Sequence, residues 1–288
     1  MKKAALSFCS LCLLGLSLSC YANGLDSSVR YFGQTAPGTL AIPFMPEHGS
    51  SSDWELGGQF SANLNEFYLV RKDYVPHEPS VIVYRKDGRD WQRHDFHRAL
   101  SGDLDVLYSK KNYIEKTSSG WSLMKSLGPQ FDREDWGIMR LSASANGTFV
   151  FDDWKNNDVI RISKVVKGKR EAPKLLGTEI NSGTWTAHPF IAHDESYIIW
   201  DSEREGGYGA SDIYISFLQE DGRYGTAINL GAEINTPLTE NGAFVTPDGK
   251  FLFFGRSEEK FRADGSSYWV GGKHWVDAQV IEKIRKKK

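Results

Sequence analysis

Short runs of alternating apolar and polar residues recur along this chain, each closed by turn-forming residues. The clearest stretch covers residues 212–254. Asp212-Ile213-Tyr214-Ile215-Ser216 alternates as a strand does, Asp221-Gly222 predicts a turn, and Tyr224-Gly225-Thr226-Ala227-Ile228 reads as a second strand. A connector, Leu230-Gly231-Ala232-Glu233-Ile234-Asn235-Thr236, leads to a strand over 243–246, a turn at Pro247-Asp248-Gly249-Lys250 and a closing strand, Phe251-Leu252-Phe253-Phe254. Asp-Gly between apolar runs predicts a type I′ hairpin, in which both central residues need positive φ.

This unit repeats. The connector has a close copy in Leu176-Gly177-Thr178-Glu179-Ile180-Asn181-Ser182 and a fainter one in Leu127-Gly128-Pro129-Gln130-Phe131-Asp132. The hairpin recurs at 59–69, 98–108, 141–151 and 190–200, with Asn, Asp, Gly or Ser at each turn. An outer pair of strands follows the first four: 80–84 with 91–93, 112–116 with 121–125, 158–162 with a strand near 173–175, and 212–216 with 224–228. Four antiparallel strands per unit, repeated radially, predict an all-β fold, a β-propeller of five four-stranded blades. The fifth unit lacks its outermost strand after 274–277. Residues 38–44 stand where a preceding outer strand would, so the N-terminal segment is expected to close the last blade and remove the free edge of an open array. Six blades are the alternative if residues 23–50 hold a further unit. Residues 280–288 predict one short helix. No linker or composition break divides the chain, so one domain is expected over 23–288, with blade repeats over about 54–284.

The first residues read differently. Lys2 and Lys3 precede an apolar run over 4–19, and Cys20-Tyr21-Ala22 places small residues where a signal peptidase reads, so residues 1–22 predict a cleaved export signal. All three cysteines lie in that segment. The remainder has no thiol for a disulfide, a metal or nucleophilic catalysis, and its core alone must hold it together. Without Lys2 and Lys3 the chain carries 33 basic and 37 acidic residues, a net charge of −4, which argues against nucleic acid as a partner. No second apolar run approaches membrane-spanning length. The basic tail, 283–288, reads as a solvated terminus.

Residues 246–254, Thr-Pro-Asp-Gly-Lys-Phe-Leu-Phe-Phe, resemble the S-P-D-G-K-x-L-x-F core of the TolB-type, WD40-like propeller repeat, and 201–214 resemble its S-x-R-x-G-G-x-G-x-x-D-I-Y segment. The match is specific in the fourth and fifth units and degenerate in the first three. The whole chain also resembles bacterial exported propellers of this type, some of them labelled sialidase-like. The resemblance implies a propeller fold, an address in the periplasm or outside the cell, and a binding role. It implies no reaction.

The chemistry agrees with that restraint. There is no G-x-S-x-G elbow, H-E-x-x-H, P-loop or dinucleotide fingerprint. A sialidase-type Asp-box occurs in none of the hairpins. Any site must then come from loops that converge on the propeller axis. By repeat alignment Glu55 and Glu240 are equivalent; His188 leads into the fourth blade, His94 and Arg98 into the second, and Asp135 and Trp136 into the third. Glu55, Glu240, His188, Arg98, Asp135 and Trp136 are therefore the candidate ligand-binding residues of the funnel. Two carboxylates, histidines and an arginine there could bind a cation or sugar or move protons. Equally, the two glutamates could be repeat residues bonded to backbone amides. Trp54, Trp136 and Trp185 could stack on a sugar, whereas Trp91, Trp121 and Tyr224 share one repeat position and read as packing. Arg204 and Asp212 are expected to form an internal ion pair or turn bond. Neither a metal set nor a cofactor motif is present, and no catalytic residue is assigned. The favoured reading is a monomeric, non-catalytic binding module for an envelope protein, a peptide or a glycan. The alternative is a glycan-cleaving hydrolase or lyase with its site in the funnel.

Overall fold

The computed structural model describes residues 31–44, 55–61, 63–71, 81–88, 90–95, 106–118 and 120–286. They form five antiparallel sheets set as the blades of a propeller ring. Blade one is Glu55–Phe60, Glu66–Arg71, Val81–Asp87 and Asp90–Asp95. Blade two contains Val106–Ser109 and Asn112–Thr117, with Gly120–Trp121 and Lys125–Ser126 both on the far edge of the latter. The innermost strand expected at 98–100 lies outside the described residues. Blade three is Leu141–Ala143, Phe149–Asp153, Val159–Ser163 and Lys174–Leu175. Blade four is Thr184–Ile191, Tyr197–Glu203, Asp212–Phe217 and Ile228–Asn229. Blade five is Thr239–Val245, Phe251–Phe261, Ser267–Asp277 and, from the other end of the chain, Ile42–Pro43.

The closure expected from the sequence is present. Ile42 pairs with Trp275 and Pro43 with His274, while the Phe44 amide donates to the Lys273 carbonyl (2.8 Å) and the Asp277 amide to that of Gly38 (3.0 Å). Aromatic packing reinforces the latch. Tyr31, Phe44, Phe60, Phe67, Phe251, Phe253 and Trp275 are buried together, joining blade five to blade one through the N-terminal segment. Phe32 stacks on Trp91 of blade one at 4.2 Å, and the Tyr31 hydroxyl donates to Asp248 in the turn of blade five (3.0 Å).

The four inner hairpins whose turns are described, those of blades one, three, four and five, share one turn, and it is not type I′. In each, one residue takes positive φ: Leu64 (60°), Gly147 (79°), Glu195 (65°) and Gly249 (71°). The Gly249 amide bonds the Thr246 carbonyl (2.8 Å) across the turn. Pro247 is locked near φ −65° and cannot enter a primed turn, so the chain turns right-handed and leaves only Gly249 in the left-handed region. A hydroxyl at the turn's first position replaces the missing ladder bond: Ser61, Ser144 and Thr246 accept from the amides of Glu66 (2.9 Å), Thr148 (3.0 Å) and Phe251 (3.1 Å).

The connectors also share one shape. The amides of Ile180 and Asn181 both bond the Gly177 carbonyl; Ile234 and Asn235 do the same with Gly231, and Phe131 and Asp132 with Gly128. The middle residue is the buried apolar plug in all three. Asn235 then clamps the third strand of its blade: its Oδ1 accepts from the Ile213 amide (2.8 Å) and its Nδ2 donates to the Ile213 carbonyl (3.0 Å). Asn181 does the same to Ile160. Asn235→Ala should leave the buried Ile213 amide without a partner, while the Ile213 carbonyl keeps the Leu230 amide (3.1 Å); the expected cost is about 1–3 kcal/mol, the range for one orphaned buried group. Urea denaturation of the two proteins measures it.

Three details depart from the sequence reading. Tyr224 touches its neighbour only through an isolated bridge to Leu218, and the outer ladder of blade four is confined to Ile228–Asn229. Gly222 turns left-handed, and Gly225 stays bonded to the third strand, its amide donating to the Phe217 carbonyl (3.0 Å) and its carbonyl accepting from the Ser216 hydroxyl (2.5 Å). The third blade carries an extra hairpin, Val165–Val166 with Lys169–Arg170. The last hairpin runs on as a ribbon to Phe261 and Ser267, well past the predicted strand ends. The predicted C-terminal helix is present as Gln279–Arg285.

Candidate axial site

The first strands of blades three, four and five lie against one another, so their leading residues face the middle of the ring. Superposing the hairpins makes Arg140, His188 and Gly242 equivalent. His188 and Gly242 share positive φ (48° and 60°) and sit in equivalent β-bulges, where the pairing of blade four jumps between Ala187 and Phe190 and that of blade five between Asn241 and Phe244. Bulges re-aim side chains, and a positive φ at a non-glycine residue marks a conformation that its surroundings enforce.

Asp152 and Asp201 are what enforce it. They occupy equivalent places in the second strands of blades three and four, and both are buried. Oδ1 of Asp152 accepts from the amides of Met139 (2.6 Å) and Arg140 (3.0 Å), and its Oδ2 from the His188 amide of the next blade (3.0 Å). Asp201 repeats the bond one blade on: Oδ1 accepts from the Gly242 amide (2.9 Å), and Oδ2 lies 3.0 Å from Nδ1 of His188. Each aspartate thus rivets its blade to the following one. Blade five has Gly255 at this place and ends the series. Burial pushes the Asp152 carboxyl above its ordinary range, against the pull of His188 and the three amides.

Arg140 completes the group. Its guanidinium stands 3.5 Å from where a Cβ on Gly242 would be, so it reaches past blade four toward blade five. Burial lowers its pKa, with Asp201 and Asp152 opposing, but a guanidinium stays charged. Among the described residues no hydrogen bond or ion pair engages that guanidinium, nor Nε2 of His188.

His188 is half-buried. Burial alone would push its pKa down; the Asp201 carboxylate and, more weakly, Asp152 outweigh that and hold it above its ordinary value, with Arg140 opposing. The folded protein therefore holds this proton more tightly than the unfolded chain. The resulting stabilisation is complete below about pH 6.5 and fades as pH rises through the raised folded value. Asparagine tolerates positive φ. The gap in urea midpoint between the wild type and His188→Asn is therefore expected to narrow as pH rises, and a constant gap would mean a neutral His188.

The other candidates are placed elsewhere. Glu240 is fully buried and engaged: it accepts from the Thr236 amide (2.9 Å), the Thr236 hydroxyl (2.6 Å) and Nε of Arg256 (2.7 Å). Glu55 pairs across its hairpin with Arg71 just as Glu240 pairs with Arg256, so their equivalence holds in the backbone register. The side chain of Glu55 lies outside the described residues, as does all of Arg98. His94 belongs to the outermost strand of blade one, paired with Val83, rather than to the start of blade two. Asp135 is exposed and accepts from Nε of Arg133 (2.9 Å). Trp136 lies under two guanidiniums, Arg133 at 4.6 Å and Arg161 at 4.5 Å, so cations occupy the ring that was a candidate for sugar stacking. Arg204 and Asp212 do not pair: Arg204 donates to the Ile180 carbonyl, and Asp212 accepts from the Tyr208 amide (2.7 Å) and the Asn229 side chain (2.7 Å). Trp185 is 63% exposed at positive φ, three residues before His188 on the same strand.

Sequence reasoning passed over Arg140, Asp152 and Asp201. A signal for the aspartates was present, since Phe151-Asp152 and Trp200-Asp201 occupy equivalent places in the second strands of their hairpins. Arg140 carried none, because its significance comes from what it faces across the ring.

The fold makes this chain a β-propeller. Among solved structures it is similar to TolB from Acinetobacter baumannii, at 12% identity and a TM-score of 0.45, over 78% of this chain and 57% of that one. It is also similar to a protein from Lactobacillus plantarum (12%, TM-score 0.39, 76% and 70%) and to the NanB sialidase of Streptococcus pneumoniae (11%, TM-score 0.39, 73% and 38%). The chain thus spans little more than half of that TolB chain. At these identities the likeness concerns the fold alone. No family model and no curated protein matches the sequence.

Proposed function

We propose that the chain is an exported propeller of the cell envelope, periplasmic or released, that binds a protein, peptide or glycan at the axial mouth and catalyses no reaction. The observation that carries this reading is the division of labour around the axis. The buried carboxylates Asp152, Asp201 and Glu240 are engaged by amides, His188 or Arg256 of the protein itself, while among the described residues no group engages the guanidinium of Arg140 or Nε2 of His188. Hydrolysis of a glycoside needs two carboxylates facing one cleft, one of them free to give up a proton. A ring of satisfied acids with unsatisfied donors suits recognition instead. The purified protein should retain members of a glycan array or peptide library with no turnover of the same compounds over prolonged incubation. Release of a cleaved glycan would overturn the proposal.

A further inference from the structure

The geometry points to a carboxylate-binding cradle formed by Arg140 and His188 on the propeller axis, the group on the ligand being a single carboxylate. This rests on the reading that the axial mouth binds a partner, and it names the chemistry of recognition there.

Three observations support it. First, the two side chains come from equivalent positions of adjacent blades, and His188 is aimed by a bulge and a positive φ that both neighbouring aspartates hold in place. A conformation so heavily constrained at the ring centre marks a functional position. Secondly, Arg140 and His188 stand close enough for their charges to oppose each other, and each keeps donors that no described residue engages. Asp201 occupies Nδ1 of His188, which leaves Nε2, and the Arg140 guanidinium crosses the same space toward Gly242. Glycine at 242 leaves room there, since even a Cβ would already touch the guanidinium at 3.5 Å. A planar guanidinium fork matches a carboxylate with two parallel hydrogen bonds, and an imidazolium can add a third. Thirdly, the charge count selects a monoanion. Among the described residues the charged groups facing His188 are Asp201 from its own blade, Asp152 from blade three and Arg140 at the start of blade three. Two cations are balanced by two buried carboxylates whose oxygens are turned to amides and to Nδ1. The pocket therefore offers oriented donors without excess positive charge. That suits a carboxylate better than a phosphate dianion, which two aspartates so close would repel.

The source of the carboxylate is left to the experiment: a peptide C-terminus, an acidic side chain or a uronic acid. Probes are matched pairs of short N-acetylated peptides with free or amidated C-termini, the same peptides with Glu or Gln inside, and glucuronate- or glucose-terminated oligosaccharides. Binding is followed by calorimetry on the full chain. The acid member of at least one pair is expected to bind roughly ten- to a hundredfold more tightly than its neutral counterpart, as loss of a charge-assisted bond implies. Arg140→Met should abolish that preference while unfolding as the wild type does. Wild-type affinity for the acid should fall as pH rises through the titration of His188, and His188→Asn should flatten that profile. If Arg140→Met fails to fold, Arg140→Lys, which keeps the charge without the fork, carries the test through a partial loss of the preference. Equal binding of acid and amide, or an unchanged preference in the Arg140 variants, would overturn the cradle but leave the binding module standing. No binding by any probe, acidic or neutral, would overturn both.

Discussion

Removal of residues 23–44 is expected to open the ring. Blade five would lose Ile42–Pro43 and with it the partner of Trp275 and His274. The bonds from Phe44 to Lys273 and from Asp277 to Gly38 would go as well. Tyr31, Phe32 and Phe44 would leave the aromatic cluster that joins blade five to blade one. An unpaired edge beside newly exposed aromatic surface templates other chains. The truncated protein should therefore unfold without a single cooperative transition and scatter light on concentration. The measurement is urea unfolding followed by two probes, tryptophan fluorescence and far-ultraviolet dichroism, together with static light scattering. Coincident transitions at the wild-type midpoint would show that the latch is dispensable. Removal of Lys286, Lys287 and Lys288 is the control and should change little, since they follow the helix that ends at Arg285.

Substitution of Glu240 by Ala is expected to destabilise the protein by about 3–5 kcal/mol, the range for breaking a buried ion pair by deleting one member. The Arg256 guanidinium would remain 17% exposed with its partner gone, and the Thr236 amide and hydroxyl would lose their acceptor. Arg256 also donates to the Ile234 carbonyl (2.7 Å), so the strain passes to the connector whose Ile234 is a core plug. A double replacement of Glu240 and Arg256 by Leu and Met should recover much of the loss, because a buried pair replaced by apolar groups of similar volume is often close to neutral. Denaturant midpoints of the single and double variants decide it. A single variant within about 0.5 kcal/mol of the wild type, the range for uninvolved surface positions, would mean that Glu240 does no structural work and would return it to the pool of binding residues.

Glu240 also shows how far a repeat can be read. Its alignment with Glu55 was legible because both stand at one register position of their hairpins, opposite Arg256 and Arg71. Which way the carboxylate points was not legible: an acid at the start of an inner strand can turn to the axis or into the blade. The fold settles it with an arginine on the adjacent strand and the Thr236 amide, both brought near by pairing and connector geometry. Trp136 gives the same lesson, since the two guanidiniums over its ring come from Arg133 nearby and Arg161 a strand away. Asp212 and Arg204, both repeat residues, turned out to be bonded within the blade but to different partners.

By itself the sequence determined what depends on local order. Alternation gave the strands, Asn, Asp, Gly and Ser gave the turns, and the Leu-Gly-x-x-apolar-Asn copies gave a connector of constant shape. Their period counted the blades. Even closure by residues 38–44 could be inferred, because a four-stranded repeat that lacks a strand at one end and has a spare at the other has one economical solution. Only the tertiary structure decided the axial group. Arg140, Asp152, His188 and Asp201 are scattered over some sixty positions in no motif. They meet because adjacent inner strands converge, because two aspartates bond forward to the next blade's amides, and because paired bulges turn His188 and Gly242 toward the same space. Those are relations between blades, and no window of sequence contains them.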